Sequence, residues 1–135
     1  VQQVTSDYAP TLSKVLSPER IRQLQGLVPR VPAADHVIRY AVRLCRGTRP
    51  DDPSTPAGLR QLVSWGVGPR ASQFLVLAAK ARAILQGRTA ARVEDVQALA
   101  RPVLQHRLVR SFHAEAEGVT AAQLVERLVE AIRPD

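Results

Sequence analysis

Apolar positions recur most regularly between Trp65 and Arg88, in the run WGVGPRASQFLVLAAKARAILQGR, where Phe74, Leu77, Ala78, Ala81, Ile84 and Leu85 fall on one face of a 3.6-residue period. The pattern predicts a helix from Pro69, a residue suited to a first helical position, to a stop at Gly87. Gly66 and Gly68 bracket the turn that leads into it, where backbone freedom is needed. Upstream, Ser17 and Pro18 with Glu19 form a helix start, and Ile21, Leu24, Leu27 and Val28 make its apolar stripe until Pro29 and Pro32 end it. A second helix opens at Ala34 and Asp35 and stops near Gly47, with Val37, Ile38, Ala41, Leu44 and Cys45 on one side and Arg39, Arg43 and Arg46 on the other. The segment TRPDDPSTPA, from Thr48 to Ala57, cannot continue a helix and reads as a surface loop. Gly58 to Trp65 suits a short helix, with a strand as the alternative over so few residues, and Trp65 is expected to anchor it on the core.

Beyond the central helix, Thr89 to Val93 is a short extended connector, and Glu94 and Asp95 occupy the first turn of a new helix, where acids favour the macrodipole. Val96, Leu99, Ala100, Val103 and Leu104 are its inward positions, while Pro102 removes one backbone bond and predicts a kink. Thr120 and Gln123 form a capping box ahead of Leu124, Val125, Leu128, Val129 and Ile132, a last amphipathic helix. Residues 1–16 read as a lead-in and residues 17–133 as one all-α domain, a small helical bundle of five or six helices with no sheet of consequence. Its predicted core includes Leu24, Ile38, Phe74, Leu77, Leu99, Val103 and Leu128, so Phe74→Ala is expected to cost about 3 to 5 kcal/mol.

Composition narrows the function. At 135 residues the chain holds one domain, with ordinary apolar (45%) and charged (23%) usage and no apolar run long enough to span a bilayer. It begins at Val1, contains no methionine and has no basic-then-apolar signal segment, which predicts an excised domain of a cytoplasmic protein. The single cysteine, Cys45, lies on an apolar helix face and reads as a small buried hydrophobe in a reducing compartment. Net charge is +7, segregated so that residues 14–49 carry eight bases against two acids and residues 111–135 five acids against two bases. That balance raises an alternative reading, a basic helical nucleic-acid-binding module, but five aromatic residues in all make a base-stacking platform improbable.

The chemistry-bearing candidate is Arg70. It falls in the first turn of the central helix, where a cation opposes the macrodipole unless an anion offsets it. A helix N-terminus with free amides, a flanking glycine and an arginine make a phosphate-facing corner; a solvated surface arginine is the competing reading. No GxxxxGK[ST] loop is present, so the cradle that holds the phosphates of a nucleoside triphosphate is missing and the chain alone is not expected to hydrolyse ATP. No HExxH, paired-cysteine or GxSxG spacing occurs, and His36, His106 and His113 lack partners at metal-ligand intervals, so no metal site or self-contained enzyme is expected.

The run GVGPRASQFLVLAAKARAILQGR, followed by RVEDVQALARPVLQHRLV and EAEGVTAAQLVERLVEAI, resembles the C-terminal lid domain of the MoxR family of AAA+ ATPases. The upstream LSPERIRQLQGLVPRVPAADHVIRYAVRLCRGTR matches the family's opening lid helices, so the likeness extends from Leu16 to Ile132. It implies a lid with a histone-fold-like C-terminal part and places the family's sensor 2 arginine, which meets the γ-phosphate of ATP, at Arg70, with Pro69 and Gly68 beside it. Gly68 stands where the family usually has serine. QHRLV matches the family's histidine-arginine-leucine motif at His106 and Arg107, whose role stays open. The resemblance further implies a separate AAA+ core domain as partner, holding ATP and magnesium, a homohexameric ring, and a chaperone-like role toward client proteins that the sequence does not specify.

Overall fold

The fold is taken from a computed structural model, which describes residues 13–134; of the lead-in read at 1–16, positions 1–12 lie outside the described residues. Helix α1 (Pro18–Leu27) begins where the Ser17 hydroxyl accepts the Arg20 amide at 3.1 Å, and it passes into a 3-10 turn over Val28–Arg30. Helix α2 (Asp35–Arg46) follows, then the short α3 (Ala57–Arg60), strand β1 (Val63–Trp65) and the long α4 (Arg70–Leu85). Helix α5 (Val93–Leu104) tightens into a 3-10 turn over Gln105–Arg107 and leads to β2 (Val109–Arg110), α6 (Phe112–Ala116) and α7 (Ala121–Ala131). The short α3 and α6 bring the helices among the described residues to seven. The short β1 and β2 pair antiparallel, Val63 opposite Arg110 and Trp65 opposite Val109, with an irregular register between them. The fold class is therefore all-α, with one two-stranded ribbon tying the turn before α4 to the segment after α5. Helix α5 runs through Pro102 without dividing, and the backbone tightens into the 3-10 turn directly after Leu104.

The core lies between α2, α4, α5 and α7 and differs from the expected list in an informative way. Leu128 is buried and Val103 is partly buried against the core, but Leu24 and Leu99 are only partly covered, and Ile38, Phe74 and Leu77 are exposed at 41, 48 and 47%. Helix α4 instead buries Ala71, Leu75, Ala79 and Ala83, a ladder at four-residue spacing. The helix is apolar on almost every side, so its periodicity fits two faces; the small-residue ladder wins because alanines let α2 and α5 approach closely. In α2 the inward place expected for Ile38 belongs to Tyr40, fully buried with its hydroxyl accepting from Gln97 Nε2 at 3.2 Å. Burial of the ring raises the Tyr40 pKa above the usual phenol value. Trp65 anchors nothing: it is 74% exposed, because the residues expected to carry it inward form a strand, and Leu59, Leu62 and Val63 take the core positions.

The end of α4 is closed by Gly87 at φ 66°, a left-handed position that favours glycine. Its amide donates to the Ile84 carbonyl at 2.9 Å and the Arg88 amide to Ala83 at 2.8 Å. Gly118 (φ 68°) ends α6 in the same way, with Val119 donating to Ala114 at 2.9 Å.

Candidate functional site

Arg70 is placed by a turn that is clamped before the helix begins. Buried Thr48, just past the end of α2, donates its hydroxyl to the Cys45 carbonyl at 2.6 Å and accepts the Val67 amide at 2.9 Å. Gly66 runs so close that a Cβ there would lie 2.6 Å from the Thr48 carbonyl oxygen, where only glycine fits without a shift. Gly66→Ala is therefore expected to cost about 1 to 3 kcal/mol by overpacking against backbone. Urea unfolding measures it, and an unchanged midpoint would mean that the turn yields. Gly68 differs: a Cβ there meets nothing within 4 Å, so the glycine at this position is not a steric requirement. An open hollow of about 580 Å³ flanks the turn, walled by Arg49, Pro50, Asp51, Trp65 and Gly68.

Pro69 caps α4 without an amide, and Arg70 is the first helical residue. The Ala71 and Ser72 amides do not await a ligand: they donate to the Gly68 and Pro69 carbonyls at 3.0 and 3.2 Å, and the Ser72 hydroxyl also reaches Pro69 at 2.7 Å. Two of the amides expected to be free are thus already spent on the turn, and the charge the corner offers an anion is the Arg70 side chain. That side chain is exposed and makes no hydrogen bond or ion pair among the described residues. Among the described residues the corner presents one exposed positive charge at the head of α4.

Sequence reasoning missed the strongest charge cluster. Asp95, fully buried in the first turn of α5, accepts Arg82 Nη1 and Arg88 Nη1 at 2.8 Å each, a second bond from Arg88 Nη2, and the Arg92 amide at 2.9 Å. The Arg88 guanidinium above all, with the Arg92 amide and Arg82, holds its carboxyl far below the usual carboxylate range, against the opposing push of burial. A legible signal existed: an arginine just past the Gly87 stop, with an acid at the third position of the next helix.

The remaining candidates separate. Cys45 is buried, and burial pushes its thiol up to about 12, as suits an inert core residue. His113 lies beside Glu117 at 3.1 Å on α6. His106 and Arg107 are exposed, and the Arg107 guanidinium stands 4.8 Å over the Phe74 ring centroid while its Nε donates to the Val103 carbonyl at 3.0 Å. Of the basic face of α2, Arg46 is bound to Asp52 at 2.9 Å and Arg43 donates to the Arg133 carbonyl at 2.7 Å.

Known proteins share this chain's sequence pattern and fold. Residues 59–128 match the AAA lid domain family, to which the chain belongs. More narrowly, it is a helical lid of the MoxR type of AAA+ ATPase. It is similar to Protein MoxR of Paracoccus denitrificans, 39% identical over 67% of this chain and 29% of that protein. It is also similar to Chaperone MoxR1 of Mycobacterium tuberculosis, 26% identical over 91% of this chain and 33% of that one. The chain thus spans about a third of the length of these relatives. A crystal structure of a candidate ATPase from Cytophaga hutchinsonii shares the fold, with a TM-score of 0.83 at 24% identity over 90% of this chain and 37% of the other. Among the described residues no helix is long and apolar enough to cross a membrane.

Proposed function

We propose that this lid couples nucleotide state to movement through Arg70, acting as the sensor 2 arginine, with Pro69 and Gly68 setting its approach. The observation that supports the reading is the placement of one exposed, unpaired arginine at the head of the longest helix, on a turn clamped by Thr48 and Gly66. A charge-assisted bond to a γ-phosphate exists only while that phosphate is present, so its loss on hydrolysis shifts the preferred lid position. ATP and magnesium are held by the core domain, and Arg70 supplies one positive charge at the terminal phosphate. The assembly is a homohexamer in the cytoplasm with a chaperone-like role, in keeping with the name of the Mycobacterium tuberculosis relative; the client proteins are left open.

In the intact ATPase, Arg70→Ala is expected to lower ATP turnover about ten- to a hundredfold, the worth of one charge-assisted bond of about 1.5 to 3 kcal/mol. The lid's melting temperature is expected to stay unchanged, since Arg70 has no partner to lose among the described residues. Wild-type turnover together with wild-type ATP affinity would return Arg70 to a solvated surface residue.

A further inference from the structure

Two surfaces of opposite charge lie side by side on the domain. One is a hollow of about 210 Å³ between α5 and α7, lined by Ala100, Val125 and Val129 with the carboxylates of Glu126 and Glu130. The other is the outer face of α2, which runs beside the hollow: Gln97, on the hollow's wall, donates to the Tyr40 hydroxyl, and Arg43 donates to the Arg133 carbonyl just past α7. That face exposes Ile38 and Val42 at 41 and 40%, about 40° apart around the helix axis, with Arg39 about 60° from Val42. Much of the charge nearby is already paired, Arg46 with Asp52 at 2.9 Å and Glu126 with Arg101 at 3.2 Å. Arg39 and Glu130 are both exposed, and neither has a partner among the described residues.

We propose that this face joins two copies of the chain about a two-fold axis, with Val42 of each copy over the hollow of the other and Arg39 of each paired with Glu130 of the other. Complementarity selects the occupant: an apolar hollow with an unpaired acid calls for an apolar side chain flanked by an unpaired base, and the same chain presents that combination on α2. Because the two surfaces are neighbours, one antiparallel approach engages both at once, and the contact closes at two copies. The charge segregation along the chain, basic over residues 14–49 and acidic over 111–135, is the same complementarity at the level of sequence. Neither Arg70 nor its turn takes part, so the contact stands whether or not Arg70 meets a nucleotide.

Sedimentation equilibrium of the 135-residue chain tests the proposal with charge reversals at exposed positions, circular dichroism confirming that each variant stays helical. The wild type is expected to show a monomer–dimer equilibrium at concentrations up to about 1 mM. Arg39→Glu and Glu130→Arg are each expected to raise the dissociation constant at least about tenfold, and the double variant, which exchanges the two charges, to return it to within about threefold of the wild type. A wild type that is monomeric over that whole range overturns the proposal. A dimer that neither reversal weakens overturns it by placing the contact on another face, and two weakened single variants without recovery in the double overturn the pairing of Arg39 with Glu130. Species that keep growing beyond the dimer with concentration overturn the two-fold closure.

Discussion

Asp95→Ala is expected to destabilise the chain by about 3 to 4 kcal/mol and to lower its melting temperature by roughly 10 to 15 °C, a large share of the stability of a domain this size. The carboxylate is fully buried and is the common acceptor for Arg82, Arg88 and the Arg92 amide, so its removal breaks the ion pairs and the cap of α5 together. The arginines keep the loss from going higher, since their side chains are 36 and 23% exposed and can turn to water. Asp95→Asn is the sharper test, because it preserves volume and withdraws the charge. The folded-state pKa is depressed, so the stabilisation is complete above the unfolded carboxylate value of about 4 and is lost as pH falls below it toward the folded value. Thermal unfolding by circular dichroism is expected to show the wild type losing stability below about pH 4, with Asp95→Asn flatter over that window. An Asn variant with the wild-type melting temperature at pH 7 would show that the cluster contributes nothing.

Leu75→Ala is expected to cost about 3 to 4 kcal/mol, against about 1 to 2 kcal/mol for Phe74→Ala. The two residues are neighbours on α4, but Leu75 is fully buried between α2 and α5, so truncation leaves a cavity in a row already lined with alanines that cannot fill it. Phe74 is half exposed and loses little more than its contact with Arg107 and part of its buried area. Comparing the two by urea unfolding reverses the order that sequence periodicity suggests. A larger loss at Phe74 would mean that its face is covered within this chain after all.

That reversal marks what the sequence could convey. Helix starts and stops were legible because their chemistry is local: Ser17 accepts from Arg20, Thr120 and Gln123 exchange bonds, and Gly87 ends α4 in a left-handed turn. The direction of α4 was not, because its faces are nearly equal in apolarity and the choice between them falls to the elements that pack on it. Trp65 misled for a related reason, since a large apolar side chain signals burial only when its element can turn it inward. At the site, the position of Arg70 at a helix start followed from Pro69 and the glycines, but the supposed free amides did not, because Gly68 and Pro69 bind them within the turn. Of the Asp95 cluster, the pairing with Arg88 left a local trace, but the bond from Arg82 needs α4 and α5 side by side, a relation no local pattern contains.

Arg88 joins two functions in one residue: its backbone amide closes the end of α4, and its guanidinium grips the first turn of α5. The far end of α4 is thereby welded to α5, while the Arg70 end, about 24 Å away along 16 residues, is held by the Thr48 clamp and the ribbon. Mechanically the pair is a stiff arm with its load point at one tip. A displacement of about 1 Å at Arg70 corresponds to a turn of such an arm by only about 2°. Because Arg88 ties the two helices at one end, such a turn carries α5 along with α4.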